Sequence, residues 1–363
     1  MQDTGSIILP DSLEVVQLFA LLKLALWGTP PDDNLFSVAD WRKIIDLSTY
    51  HGVMAVAFDG MMKLPVNRQP NRNSKLGWGI NVEAVERRYA RQTAVANELL
   101  TLFRENNINI LLFKGIGIAQ YYPVPAHREF GDIDIYLFGK HREGDNVLLR
   151  RGATKNKHNT NKHTTLSYKG VPIENHRFFL KEKLLNDILL KQLLGSKASG
   201  AEEILVSPPC FNVLYIMCHM LNHFTCSFVI RYLCDWALLL KANGGKIDFG
   251  NYREVLSRAG YLKAADAVSS LAVAYLGLDA AIAPPFKADP LVENKIIADM
   301  LNPILPPQEK DPSIVKIIAY KFKLLKYHRW KYKLLYPGQF AKIIFSKAMS
   351  YIRRPKSIFL FKR

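Results

Sequence analysis

The run Gly131-Asp132-Ile133-Asp134-Ile135 places two acidic residues two positions apart in a short apolar segment. Side chains on a β-strand alternate between its two faces, so residues two apart point the same way. The run therefore predicts a strand over residues 132–138 whose two carboxylates share one face, with Cβ atoms roughly 6–7 Å apart. Carboxylates held this close repel each other unless a proton or a cation neutralises them.

This acidic pair favours a divalent cation as the species that neutralises its charge. Magnesium binds one or two protein carboxylates and fills the rest of its shell with water and substrate phosphates. Metal ions held in this way activate an attacking hydroxyl and stabilise a leaving pyrophosphate. The pattern thus favours Mg²⁺ (or Mn²⁺) as the cofactor, an NTP as the substrate and transfer of a phosphorus-containing group as the reaction.

A third acid, Glu174, lies on one of two further strands predicted over residues 164–169 and 171–176. A charge on this apolar strand suits a third metal ligand. The alternative is a paired or edge-exposed glutamate, which Pro172 favours because proline is tolerated on edge strands. His176 lies two residues further along the same strand face, where it would contact substrate or act as a base.

The segment before the acids predicts a strand–helix–strand unit. A strand over residues 108–113 ends at Lys114-Gly115, a short helix follows, and a loop that carries Arg128 leads to the acidic run. This unit would place backbone donors and two cations beside the carboxylates, which suits a triphosphate. Gly115-Ile116-Gly117 lacks the third glycine of a dinucleotide fingerprint, and no P-loop motif occurs, so neither of those nucleotide sites is predicted.

These motifs resemble those of a known family, the uncharacterised nucleotidyltransferase family within the polymerase-beta-like superfamily. The resemblance is carried by Leu112-Phe113-Lys114-Gly115, Tyr122-Pro123, Arg128 and the acidic run, and further by Glu174-Asn175-His176, His219, His223, Arg231 and Asp235. It covers roughly residues 85–240. Many members of the family accompany bacterial surface-polysaccharide genes.

The resemblance implies that Asp132, Asp134 and Glu174 hold Mg²⁺. It implies that the NTP phosphates lie near Lys114 and Gly115, and the strand–helix–strand unit adds Arg128 and Gly131 to the predicted nucleotide-binding residues. The chain departs from the wider superfamily at Lys114-Gly115, where Gly-Ser is usual, and in a longer gap before Asp132. The phosphates of the nucleotide would therefore be bound by a different arrangement of residues. The family has no settled reaction, so the resemblance does not identify the acceptor.

His219 and His223 lie four residues apart on one face of a predicted helix. They suit either a metal site or a buried, hydrogen-bonded pair that borders the cleft, and the second interpretation is favoured because no HExxH motif is present. Arg231 and Asp235, also four apart, predict an intrahelical ion pair. The four cysteines show no CxxC spacing, so neither a zinc site nor a disulfide framework is predicted.

The predicted fold class is α+β: a small mixed β-sheet nucleotidyltransferase core flanked by N-terminal and C-terminal α-helical segments. Helical periodicity predicts helices over residues 12–27, 38–51 and 82–106, with a loop over residues 64–79. The predicted divisions are an N-terminal helical segment (1–80), the α+β core (81–195), a helical domain (196–311) and a basic amphipathic helical tail (312–363).

The net charge of +17 is concentrated in the tail, because residues 312–363 contain 14 Lys or Arg and no Asp or Glu. Three interpretations fit this composition. The tail helices pack on the body with a solvated basic face, they lie on an anionic membrane surface, or they bind nucleic acid. The N-terminus shows no secretory signal and no apolar stretch approaches about 20 residues, so the cytoplasm is predicted, either free or peripheral to the inner face of the membrane.

The function predicted from these observations is metal-dependent transfer of NMP from an NTP to an unknown hydroxyl or phosphate acceptor. Bacterial surface-polysaccharide synthesis is the pathway that the resemblance suggests. The alternatives are a non-catalytic nucleotide-binding or antitoxin-like partner protein, and a nucleic-acid binder that depends on the basic tail. The sequence leaves the nucleotide and the oligomeric state open.

Overall fold

Apolar residues at helical spacing build the first three helices, α1 (Leu13–Trp27), α2 (Trp41–Tyr50) and α3 (Met54–Met62). The computed structural model describes residues 9–156, 161–197, 207–225, 228–302 and 313–353 of the chain. Helices α1 and α3 pack backbone to backbone, since a Cβ on Gly60 would overlap the carbonyl oxygen of Leu21. Glycine is therefore required at this crossing.

Helix α4 (Arg72–Glu105) begins earlier than its sequence predicts, so the loop prediction over residues 64–79 was wrong from Arg72 onward. The side chain of Asn71 caps the helix by accepting the backbone N–H of Ser74 at 2.9 Å. Trp78 is 1% exposed and donates its indole N–H to the Met54 carbonyl at 3.1 Å. Burial of this tryptophan outweighs the helix-weakening glycines on either side of it.

The mixed sheet contains β1 (Leu111–Phe113), β2 (Ile133–Tyr136), β3 (Thr154–Lys155), β4 (His163–Tyr168) and β5 (Val171–His176), in the order β1-β2-β5-β4-β3. Strands β2 and β5 run parallel, and the other neighbours are antiparallel. Lys169 and Gly170 join β4 to β5 with φ angles of 50° and 74°, as a tight hairpin turn requires. The predicted α+β class is confirmed, as are the strand pair and the strand that carries Asp134.

The two faces of the sheet differ in character. Ile133, Ile135 and Ile173 point to one face, where they form an apolar core with α4. Helix α6 (His141–Arg150) lies on the same side, while α5 (Gly115–Ala119) connects β1 to the loop before β2. Asp134 of β2 and Glu174 and His176 of β5 alternate with these isoleucines and point to the opposite face.

Several helices follow the sheet in the chain, and Tyr215 on the second of them packs edge-on against Phe113 of β1 on that face. They are α7 (Lys183–Lys197), α8 (Pro209–His223), α9 (Ile230–Asn243), α10 (Phe249–Arg258), α11 (Leu262–Leu276) and α12 (Pro290–Leu301). They share one large apolar core with α1–α3, and Phe113 of the sheet packs into it. The predicted division into domains stays a prediction.

The tail forms α13 (Ile314–Tyr327), α14 (Arg329–Leu335) and α15 (Phe340–Arg353), and the predicted tail residues 312 and 354–363 lie outside the described ranges. Helix α14 packs on the body, because the buried Lys331 ammonium lies 2.5 Å from an oxygen of Asp299 on α12. Cys210, Cys218 and Cys234 are free thiols, whereas Cys226 lies outside the described residues. Among the described helices, none combines the length and apolar character needed to cross a membrane.

Candidate active site

Strand register brings three carboxylates together. Asp134 and Glu174 are direct partners on the parallel strands β2 and β5, so their side chains project from the same face. Asp132 lies two residues before Asp134, at the mouth of β2. One ligand oxygen from each of these residues lies within 4.8 Å of the others. The acidic cluster predicted from the sequence is thus assembled by sheet geometry.

Lys114 lies against this cluster in a strained backbone conformation. Its φ of 55° and ψ of −120° fall in a region that side-chain-bearing residues rarely adopt. Its ammonium lies 2.5 Å from Oδ1 of Asp134 and 3.9 Å from Oε2 of Glu174. Gly115 follows as the first residue of α5, where an added Cβ would lie 3.0 Å from the Phe130 side chain. The strained backbone at Lys114 therefore forms part of a turn that directs the lysine side chain toward the acids.

Two histidines lie beside the acids. His176, which is buried, has Nε2 2.8 Å from Oδ1 of Asp134 and 3.3 Å from Oε2 of Glu174. The ring of Phe113 packs edge-on against it, with centroids 5.1 Å apart. His163, the cross-strand partner of His176, has Nδ1 3.4 Å from Glu174. Carboxylates accept hydrogen bonds, so Nε2 of His176 donates and holds Asp134 and Glu174 in place.

The charges of the three acids are unevenly compensated. Burial alone would raise the pKa of Asp134, but the Lys114 ammonium and the His176 hydrogen bond hold that pKa well below its usual range. Burial would likewise raise the pKa of Glu174, and the His176 hydrogen bond leads the effects that lower it. For Asp132, burial and the neighbouring charges of Asp134 and Glu174 raise the pKa to about 7. A bound cation would thus chiefly offset the repulsion that disfavours the negative charge of Asp132.

The donor set fits a hard divalent cation. Asp132, Asp134 and Glu174 form one group of metal-ligating side chains, and His163, Glu174 and His176 form another that overlaps it. The first group offers oxygen alone, which suits Mg²⁺ or Mn²⁺ better than the softer metals that select nitrogen or sulfur.

Arg128, the predicted second cation for phosphate, is engaged elsewhere. Its guanidinium makes a two-point contact with buried Asp235 of α9, at 3.1 Å from Nε and 2.7 Å from Nη2. The Tyr122 hydroxyl donates to the same carboxylate at 2.8 Å. The prediction of an Arg231–Asp235 pair was wrong, because Arg231 instead donates to the Glu129 carbonyl at 2.6 Å. Binding of triphosphate by Arg128 stays a prediction.

The loop before Asp132 is fixed at several points. His127 lies 2.7 Å from Asp59 and 2.9 Å from Glu86, so it links α3 to α4. Gln92 of α4 donates to the Phe130 carbonyl at 3.2 Å. Gly131 then lies exposed, and an added Cβ there would meet no atom within 4 Å. This leaves the backbone beside Asp132 open to a ligand.

The predicted cleft histidines border the site from α8. The rings of His219 and His223 lie 4.6 Å apart, and His219 stacks on Tyr215 with centroids 5.7 Å apart. Burial, and then the Lys114 charge, lower the pKa of His219 well below its usual value, so its ring is neutral. Within the described chain, neither histidine belongs to a group of metal-ligating side chains.

Lys162 is a site residue that the sequence pattern did not single out. Burial, and then the charge of Lys114, lower the pKa of Lys162 to about 8, while Asp134 and Glu174 act in the opposite direction. Its backbone carbonyl accepts the N–H of Arg177 at 2.9 Å, which extends the β4–β5 pairing beyond His163. A hairpin register drawn back from Gly170 would have placed Lys162 opposite Arg177, one position beyond the His163–His176 pair.

Comparison with protein families identifies one match. The model of a family described as uncharacterised nucleotidyltransferase matches residues 37–277, well over half of the chain. The matched range contains the three carboxylates, both lysines and all four histidines of the site. No curated protein and no solved structure matches the chain.

Proposed function

The chain belongs to the uncharacterised nucleotidyltransferase family, and from this premise we propose that it moves NMP from an NTP to a hydroxyl or phosphate acceptor with the help of a divalent metal. The observation that most supports this proposal is the convergence of Asp132, Asp134 and Glu174, whose ligand oxygens lie within 4.8 Å of one another. Nucleotidyl transfer itself follows from the family. The metal, the nucleotide and the acceptor are the proposed parts.

In this proposal Asp132, Asp134 and Glu174 hold Mg²⁺ or Mn²⁺. When bound, such an ion polarises phosphoryl oxygens and lowers the barrier to in-line displacement. An acceptor oxygen forms a bond to the α-phosphorus, a hydroxyl acceptor gives up its proton to water, the bond between that phosphorus and the bridging oxygen breaks, and pyrophosphate leaves. His176 keeps Asp134 and Glu174 oriented through its Nε2 hydrogen bonds, so we assign it a positioning role rather than that of a base.

The lysines of the site would meet the triphosphate. Lys114 is already charged and aimed at the carboxylates, and Lys162 lies close enough to respond to the charges of Lys114, Asp134 and Glu174. Two ammonium groups suit the negative charge that builds up on departing pyrophosphate. The open backbone at Gly131 offers the nucleotide an approach beside Asp132.

A second candidate function is nucleotide binding without transfer. The observation that favours it is the Lys114 ammonium at 2.5 Å from Asp134, because a fixed cation there would neutralise the acid that a metal needs. The two candidates differ in turnover rather than in affinity. Both would bind an NTP.

We propose the cytoplasm as the compartment, since the reaction consumes an NTP, and surface-polysaccharide synthesis as the pathway. The test is transfer of label from an α-³²P-labelled NTP to a panel of sugar phosphates and membrane extracts, by wild type and by Asp132→Asn. Label transfer by wild type alone supports catalysis. Magnesium-dependent nucleotide binding with no transfer to any acceptor in the panel would support the second candidate.

A further inference from the structure

Contacts with the body hold α13 and α14, so one side of α13 faces outward. Lys331 of α14 is anchored to Asp299, and His328 contacts the Thr225 carbonyl at 2.9 Å through Nδ1. Leu335 lies in the large apolar core, and Ile317 of α13 is only 1% exposed. Helix α13 thus has a defined inner side and a defined outer side.

The outer side of α13 carries a lengthwise stripe of apolar residues. Val315 is 75% exposed, Phe322 is 68% exposed and Ile318 is 38% exposed. Their spacing of three and then four residues places them in one stripe along the helix. A helix on the surface of a globular protein ordinarily turns polar residues outward, so this stripe needs a partner that accepts apolar side chains.

Basic residues flank the stripe. Lys316, Lys323 and Lys326 are exposed on the same helix. Helix α15 repeats the combination with exposed Phe345 and Lys342. Residues 312–363 contain no Asp or Glu. The partner should therefore carry negative charge around an apolar interior.

We infer that the outward stripe of α13, formed by Val315, Ile318 and Phe322 with its flanking lysines, binds the surface of an anionic lipid bilayer. The helix would lie parallel to the bilayer, with the apolar residues at the boundary between headgroups and acyl chains and the lysines beside lipid phosphates. Nucleic acid would match the lysines but would leave the exposed aliphatic residues without a role. This surface is separate from the carboxylate cluster, so the inference does not depend on the proposed function.

The experiment is co-sedimentation of the full chain with vesicles of phosphatidylcholine alone and with vesicles that contain about one-third phosphatidylglycerol. Wild type should bind the anionic vesicles and not the neutral ones. Val315→Ser combined with Phe322→Ser should weaken binding by about tenfold or more, since both side chains lose apolar area on the lipid side. Lys323→Gln combined with Lys326→Gln should weaken it by roughly fivefold per lysine.

Matched controls separate this surface from general stickiness. Leu76→Ser removes a 63% exposed apolar residue from α4, and Lys295→Gln removes an exposed lysine from α12. Neither should change vesicle binding, and all variants should keep the wild-type circular dichroism spectrum and melting temperature. Equal binding to both vesicle types, no binding at all, or loss equal to that of the tail variants in the Leu76→Ser control would overturn the inference. Tight binding to duplex DNA that is lost in Lys323→Gln/Lys326→Gln but survives Val315→Ser/Phe322→Ser, without vesicle binding, would overturn the inference and assign the lysines to nucleic acid.

Discussion

Replacing Lys114 with methionine should make the site bind magnesium more tightly and nucleotide more weakly. The ammonium of Lys114 lies 2.5 Å from Asp134 and 3.9 Å from Glu174, so it occupies the side of both acids that a metal would approach. Methionine keeps most of the length and volume of the side chain and removes its charge. The variant therefore separates competition for the carboxylates from packing.

The magnitude follows from Coulomb's law. Two unit charges about 4 Å apart interact by about 4 kcal/mol at an effective dielectric constant of about 20, and a dication is repelled by an ammonium twice as strongly. Part of this gain is offset, because the pKa of Asp134 is held low by Lys114 and would rise in the variant. We expect a net gain in Mg²⁺ affinity of at least about tenfold, or about 1.4 kcal/mol, when binding is measured well above neutral pH.

Calorimetric titration with MgCl₂, and then with NTP in the presence of Mg²⁺, measures both effects. Lys155→Met is the matched control, since Lys155 is an exposed lysine on β3 of the same sheet. The NTP affinity of Lys114→Met should fall by about tenfold or more, because the triphosphate loses an ammonium partner. Magnesium affinity that is unchanged or weaker in Lys114→Met would refute the idea that the lysine and the metal compete for Asp134.

Further outcomes follow from the same contacts. Asp132→Asn should lower turnover by more than the roughly 10–100-fold typical of residues that only orient a metal ligand, and nucleotide turnover of the purified variant measures this. Because the pKa of Asp132 is raised to about 7, Mg²⁺ affinity should fall by about tenfold per pH unit below that value. The contribution of Asp132 to the stability of the metal-free protein should decline as pH rises from the usual Asp pKa through about 7, so the melting temperature of wild type relative to that of Asp132→Asn should fall across this range. Gly131→Ala should leave the melting temperature unchanged and weaken NTP binding, whereas Gly115→Ala should lower the melting temperature because its Cβ meets Phe130 at 3.0 Å. Asp235→Asn should destabilise the fold by about 3–5 kcal/mol in denaturant titrations, since it leaves buried Arg128 without its counter-charge.

Alternation along a strand made the acidic cluster predictable from the sequence. Asp132 and Asp134 share a face by spacing alone, and the turn at Gly170 fixes the hairpin on which Glu174 lies. The pairing of β2 with β5 is a different matter, because these strands are parallel and separated by some forty residues. The sequence spacing could identify Glu174 as a candidate metal ligand, but it could not predict that Glu174 pairs in register with Asp134.

Contacts between residues far apart in the chain account for most of what could not be predicted from the sequence. Arg128 and Asp235 are 107 positions apart, so no local pattern connects them, whereas Arg231 is close in sequence and pairs elsewhere. The strained backbone of Lys114 is equally hidden, because the sequence would suggest glycine for such angles. Helix α4 begins at an earlier residue than predicted because burial of Trp78 in the tertiary structure outweighs the local sequence signals of a loop.

Asp132 and Asp134 are proposed to bind nucleotide through a divalent metal, and one calorimetric experiment tests this role. Each NTP is titrated into wild type and into the Asp132→Asn/Asp134→Asn double variant, with and without Mg²⁺, after both proteins are shown to melt cooperatively. We expect binding that requires Mg²⁺ in wild type and is lost in the double variant. Binding of equal strength with and without Mg²⁺, or binding retained in the double variant, would contradict it.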